Sequence, residues 1–300
     1  MILTLVPTAY TEVPMDTQAV VEWFDAHERP LPWREPGTSA WGVLLSEVMS
    51  QQTPVARVAP QWEEWMRRWP TPQDLAAASK ADVLRAWGKL GYPRRALRLW
   101  ECAKEIGEGP VPGDVDKLLA LPGIGEYTAR AVACFHFGHN VPVVDTNVRR
   151  VHARAEEGRF LAPPPAKREL AQVEALLPKE NGPRFSAALM ELGALVCTAK
   201  NPDCAACPIK STCAWQLAGC PEPSEEETAR AKKRVQKFTG TDRQVRGLLL
   251  DVLRATPHPV EQSALDAVWP DAAQRSRAQA SLLEDGLMDV NDEGLFHLPH

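Results

Sequence analysis

Four cysteines, Cys197, Cys204, Cys207 and Cys213, stand in the order C-x6-C-x2-C-x5-C, and no other feature of the sequence constrains the fold as tightly. A loop this compact can wrap one metal centre. Four thiolates suit either a structural Zn²⁺ or a [4Fe-4S] cluster, and ligand type alone does not separate the two. The cysteines number seven, an odd count, and the N-terminus lacks the basic start and long apolar stretch of a secretory signal. A disulfide framework is therefore not expected. Of Cys102, Cys134 and Cys220, two sit among apolar residues at helical spacing and read as buried structural thiols.

The chain has 300 residues, 44% hydrophobic and 24% charged, enough to bury at least one substantial core. It has no run of about 18 apolar residues, so no membrane partner is expected, and the cytoplasm is the expected location. A formal net charge of -5 argues against a nucleic-acid partner on a whole-chain count. Local charge argues the other way, because Arg94, Arg95 and Arg98 cluster in one segment and Arg149, Arg150 and Arg154 in another. DNA responds to the local field rather than to the total.

From residue 17 to about 215, amphipathic stretches alternate with Pro and Gly and show no sustained period-2 pattern, which predicts a mainly α body. Helices are expected over 18–27, 41–51, 55–69, 72–78, 80–87, 94–106, 114–120, 126–137, 146–155, 167–176 and 183–196. Residues 219–240 lose apolar content, gain Pro221, Pro223 and an acidic triplet, and read as a partly helical linker. Helices over 242–254, 260–268 and 272–286, then a hairpin pairing 288–290 with 294–298, give the element order of a small winged-helix-like module.

Leu121-Pro122-Gly123-Ile124-Gly125 lies between two predicted helices, where a glycine pair allows a tight turn that exposes backbone N–H groups. With the dipole of the helix that follows, such a turn can seat a phosphate without reading sequence, although a Gly-rich turn is more often only a turn. About twenty residues on comes Val143-Val144-Asp145-Thr146-Asn147-Val148-Arg149. Asp145 reads as a helix N-cap, a role compatible with catalysis. Glu47 falls in an otherwise apolar stretch, where burial would favour its protonated form, whereas by composition alone a glutamate there is a solvated face.

The hairpin followed by V-D-x-N-V-x-R resembles the signature of the helix-hairpin-helix DNA glycosylases, the endonuclease III superfamily. Ser46-Glu47-Val48-Met49-Ser50-Gln51-Gln52-Thr53 resembles more narrowly the motif of its A/G-specific adenine branch. The resemblance covers roughly residues 20 to 213. It implies a two-lobed glycosylase domain over 1–218 with a [4Fe-4S] loop at 197–213, then a linker at 219–240 and the module at 241–300. No room remains for the Nudix-like domain that many such enzymes carry. By the same resemblance Glu47 protonates the leaving adenine, Asp145 stabilises the positive sugar and Asn147 orients it. Tyr127 stands where bifunctional relatives place a lysine, implying base removal without strand cleavage.

Gln51, Gln52, Tyr92, Leu121, Gly123, Gly125, Arg94 and Arg149 are the expected DNA contacts, and Trp33 with Arg34 of L-P-W-R lines the expected base pocket. Tyr92 belongs to L-G-Y-x-x-R-A, whose aromatic wedges into the duplex; Pro93 replaces the usual second tyrosine. The implied function is base-excision repair by a monomer that flips adenine out of double-stranded DNA opposite 8-oxoguanine or guanine. The rival readings are a mismatch thymine or uracil glycosylase and a non-catalytic iron-sulfur DNA-binding regulator.

Overall fold

A computed structural model of the chain describes residues 14–233 and 238–300. Residues 1–13 of the expected glycosylase domain and 234–237 of the expected linker lie outside the described residues. The order of elements is almost wholly helical, and several of the starts carry a side chain that caps them. Asp16 caps α1 (Thr17–His27), and Ser39 caps α2 (Ala40–Ser50) after one 3₁₀ turn at Pro32–Arg34. Then come α3 (Val55–Arg68), α4 (Pro72–Ala77), α5 (Lys80–Trp87) and α6 (Arg94–Ile106). Thr71 and Asp74 form a reciprocal capping box on α4. The glycine turn separates α7 (Val115–Leu119) from α8 (Glu126–Phe135). Beyond it lie α9 (Thr146–Ala155), α10 (Arg168–Glu174), α11 (Gly182–Leu195), α12 (Ala214–Leu217) and α13 (Glu225–Lys233). The C-terminal segment holds α14 (Asp242–Arg254), α15 (Gln262–Asp266), α16 (Ala272–Glu284) and an antiparallel pair, β1 (Asp289–Val290) and β2 (Phe296–His297).

The chain divides into two compact units, one drawing on residues up to Pro30 and from Arg130 through α13, the other on Leu31–Ala129 with the C-terminal segment. In the first, α11 packs on α1 and α9, and its core gathers Val20, Phe24, Val148, Phe185, Leu189, Leu192, Ile209 and Cys213. Each fully buried Leu or Phe there contributes about 1.5–3 kcal/mol. Glu191 is buried with them and accepts three hydrogen bonds from Arg29, from Nε at 2.6 Å, Nη2 at 2.8 Å and the backbone N–H at 3.2 Å.

In the second unit α2 is buried from Trp41 to Met49, on all its faces. Trp62, Trp65 and Trp87 pack there, with each indole N–H given to a backbone carbonyl, of Gly42, Ala86 and Gly91. The C-terminal segment belongs to the same unit, where α14 packs on α5 and Arg254 Nε donates to the Leu84 carbonyl at 3.0 Å.

Several boundaries shift by one or two residues, and two differences have a visible cause. The helix predicted over 260–268 is only Gln262–Asp266, because Val260 exchanges both backbone hydrogen bonds with Phe296 at 2.8 Å and extends the ribbon instead. The helix predicted over 126–137 stops at Phe135, before the left-handed turn at Gly138 (φ +72).

Candidate active site

Glu47 lies on the last turn but one of α2, 8% exposed. A carboxyl so enclosed needs a polar partner. Tyr127, on the first turn of α8, donates its phenol O–H to Glu47 Oε2 at 2.8 Å. The neighbouring Thr128 is buried, and its Oγ1 accepts from Gln51 Nε2 at 3.2 Å, tying the end of α2 to the same turn of α8.

The chain just beyond α2 is strained. Gln52 has φ +55, a left-handed conformation shared among the described non-glycine residues only with Tyr92 (φ +48), Asn181 and Cys220. Such residues cost of order 1–3 kcal/mol each and persist only where the surroundings hold them. Arg95 does so here. Its guanidinium donates to the carbonyls of Val48 (2.6 Å), Met49 (3.3 Å), Leu90 (3.4 Å) and Gly91 (3.1 Å) and to Thr53 Oγ1 (3.2 Å), while Thr53 donates to Leu90 (3.0 Å). It also lies over the Trp87 ring at 5.1 Å, and burial pulls its pKa down to about 10, still charged at neutral pH. One buried arginine thus laces the Gln51–Thr53 corner to the Leu90–Tyr92 corner.

The glycine turn is equally specific. Gly123 has φ +76, and a Cβ there would come within 2.6 Å of Arg98 Cβ, so α6 excludes any side chain. Gly125 is different, since a Cβ would meet nothing within 4 Å. Both glycines are exposed and Leu121 is buried beneath them. Of the other expected contacts, Trp33 stands edge-on to Trp62 (6.1 Å) and, like Arg34, is half-buried, while Arg94 pairs with Asp285 of the C-terminal segment at 3.0 Å.

In the other unit, Asp145 caps α9. Its Oδ1 accepts from the N–H of Asn147 (2.8 Å) and Val148 (2.7 Å), and its Oδ2 from Asn147 Nδ2 (2.7 Å). Burial pushes the Asp145 pKa up, while these three bonds and the Arg150 charge pull it down. Arg150 Nη2 donates to Asn147 Oδ1 (2.7 Å) and to the Gly193 carbonyl (2.5 Å), and Nε to the Cys197 carbonyl (2.6 Å). A hydrogen-bonded path therefore runs from the carboxylate through Asn147 and Arg150 to the first cysteine. Gly193 permits it, because a Cβ there would sit 2.7 Å from Asn147 Cβ. Arg149 is spent internally, on Glu169 (2.9 Å) and the Pro163 carbonyl (2.6 Å).

Cys197, Cys204, Cys207 and Cys213 all line one pocket, with Val151, Leu192 and Trp215. Among the described residues no three His, Cys, Asp or Glu side chains converge on a single-ion site. Burial raises Cys207 to about 11 and moves Cys204 and Cys213 the same way, so these thiols require a cationic centre to ionise at neutral pH. Arg154 pins the loop, donating to Cys197 Sγ (3.2 Å) and to the carbonyls of Phe160, Thr198 and Ala199.

Sequence reasoning placed Arg95, Arg150 and Thr53 within L-G-Y-x-x-R-A, V-D-x-N-V-x-R and the Ser46–Thr53 motif without giving them a role, and it did not single out Thr128 or Gly193. The motifs mark the positions, but the partners that define the roles of Arg95, Thr53, Thr128 and Gly193 lie far along the chain. Among the described residues no helix is long and apolar enough to cross a membrane.

Comparison with known proteins agrees with this geometry. Residues 45–172 match the model of the HhH-GPD superfamily of base excision DNA repair proteins. An adenine DNA glycosylase of Mycolicibacterium smegmatis is 57% identical over 284 residues, 93% of this chain and 94% of that one, a span too long to leave out the C-terminal segment. The human adenine DNA glycosylase is 39% identical over 67% of this chain and 39% of its own. A thermostable thymine-DNA glycosylase has a similar structure, with a TM-score of 0.62 and 25% identity over 67% of this chain and 95% of that chain.

Proposed function

The chain belongs to the adenine DNA glycosylases of the helix-hairpin-helix base-excision superfamily, and from that premise we propose that it excises adenine mispaired with 8-oxoguanine or guanine, leaving an abasic site uncut. The observation that carries the chemistry is the buried Glu47 carboxyl, hydrogen-bonded by Tyr127 inside an apolar helix. Its proton goes to the adenine ring, the C1′–N9 bond breaks with its electron pair leaving on the base, and water adds at C1′, its proton returning to the Glu47 carboxylate. Asp145, whose carboxyl oxygens accept three hydrogen bonds, stabilises the positive sugar as a carboxylate while that bond is open. Tyr127 has no amine to attack C1′, which supports a monofunctional enzyme.

Base flipping needs a grip on the duplex. Gly123 and Gly125 offer exposed backbone to a phosphate, with open space over Gly125 for close approach. Gln52 and Tyr92, held in strained backbone on one clamp, act as the residues that enter the helix stack. The partner is double-stranded DNA, the enzyme a monomer of the cytoplasm.

The four-cysteine pocket fits a [4Fe-4S] cluster. All four thiols line one pocket, and a four-thiolate set is the ligand set of such a cluster. Cys197, Cys204, Cys207 and Cys213 would hold it, and its chemistry there is to cross-link the loop and supply positive charge.

The deciding experiment is single-turnover excision from duplexes carrying A, T or U opposite 8-oxoguanine or guanine, comparing wild type with Glu47→Gln. Adenine release that collapses in the variant is the expected result. Release of T or U but not A would replace the reading with a mismatch pyrimidine glycosylase.

A further inference from the structure

Tyr92 combines three properties that rarely coincide. It is a large aromatic left 41% exposed, its φ is +48, and it precedes Pro93, which narrows its backbone choices further. Such a residue needs an external hold. Arg95 supplies part of it from below, 5.7 Å from the ring. The other part comes from 151 residues further along the chain. Arg243, on the first turn of α14, donates from Nη1 to the Tyr92 phenol oxygen at 2.8 Å, and its guanidinium carbon lies 5.7 Å from the ring. Arg243 is steadied in turn by Phe238, whose 52% exposed ring stands 5.2 Å from it. The Phe238 carbonyl accepts from both the N–H (3.2 Å) and the hydroxyl (2.6 Å) of Thr241, fixing that turn to the start of α14.

We propose that Arg243 is a positioning residue for base flipping: it sets the Tyr92 ring in its duplex-entering pose and so makes the C-terminal segment part of the machinery that opens the DNA. This rests on the reading of Tyr92 as the entering residue. The segment does not behave as an independent groove reader. Over residues 241–300, acids outnumber Lys and Arg, and three of the five arginines are engaged within the protein, Arg246 with Asp285 at 2.5 Å, Arg254 with Leu84 and Arg243 with Tyr92, while the exposed Arg277 sits beside Asp242. Its contribution is mechanical support at one aromatic side chain, delivered by a hydrogen bond and two cation–π contacts.

The test uses the full-length protein and a duplex with 2-aminopurine beside the target adenine, whose fluorescence rises when the stack opens. Tyr92→Ala comes first, and a loss of about five- to a hundredfold in single-turnover rate, with a blunted fluorescence rise, is expected for removal of a stacking aromatic. If both are unchanged, the entering role of Tyr92 itself is wrong. Given that loss, Arg243→Met and Tyr92→Phe should each slow excision by about three- to tenfold, the size of one hydrogen bond, and blunt the fluorescence in the same proportion. The double variant should be no slower than the worse single one. Tyr92→Phe leaves Arg243 and all of α14 in place, so it separates positioning from loss of the segment's fold. A wild-type fluorescence rise in Arg243→Met, or losses that multiply in the double variant, would overturn the proposal.

Discussion

The two carboxyl groups given roles in the proposed reaction, Glu47 and Asp145, each in its own unit, live in different surroundings. Glu47 projects from a helix buried on every side and receives a phenol O–H. Asp145 stands at a helix start, takes two backbone N–H bonds and an amide N–H, and lies within the field of Arg150. The first setting gives the carboxyl a phenol donor amid apolar side chains; the second sets three donors and a cation against the burial that raises its pKa. The proposed reaction asks a proton of one group and charge of the other, and the two carboxyls differ in the partners that meet them.

The largest effect that could break this contrast is Asp145→Asn. It should slow adenine excision by about 10²–10³-fold, as loss of one electrostatic stabiliser does. Yet the asparagine still caps α9, and stability should rise. Burial raises the folded pKa of Asp145, so its favourable contribution is complete only below the unfolded aspartate value of about 3.9 and is lost as pH rises through the folded value. At pH 7 the variant should melt higher than wild type, by about 2–4 °C for each kcal/mol relieved, with the gain vanishing toward pH 4. A lower melting temperature at pH 7 would mean that the three donors outweigh burial.

Next in size is Gly193→Ala, whose methyl group would collide with Asn147 and the α9 backbone. Overpacking of this kind costs about 1–3 kcal/mol, and the melting temperature should fall with the rate. Tyr127→Phe should cost less, about three- to tenfold in single-turnover rate, because Glu47 keeps its enclosure and loses one donor. An effect as large as that of Glu47→Gln would move Tyr127 from supporting group to proton carrier. The subtlest change is Arg150→Gln. Removing the cation that favours the ionised form should move the acidic limb of the rate–pH profile to higher pH and leave the alkaline limb alone. No displacement would show that Asn147 orients Asp145 without help from the charge behind it.

The difference between the regions also explains what could be read from sequence. Asp145, Glu47 and the four cysteines stand in short contiguous motifs, because a cap, a helix position and a ligand loop are local. Ser39, Thr71 and Ser79, which cap α2, α4 and α5, are local features of the same kind. Residues 219–240 read as a partly helical linker, and Ser224 with Glu227 caps α13 there, each accepting the other's backbone N–H. Val260 was misplaced because its partner, Phe296, lies 36 residues on and leaves no trace in the apolar pattern around it. Three arginines show the same divide. Arg95 and Arg150 stand in quoted motifs and Arg243 in none, yet the role of each depends on carbonyls, amides or rings that only the fold delivers.

The Arg95 clamp has a consequence in the language of local opening. Two corners, each storing unfavourable backbone energy, share a single guanidinium as their restraint, so neither can loosen without releasing the other. The amides of residues 51–53 and 90–92 should therefore trade hydrogen for deuterium as one cooperative block, with a common opening free energy and a common response to denaturant, although 37 residues of chain separate Thr53 from Leu90.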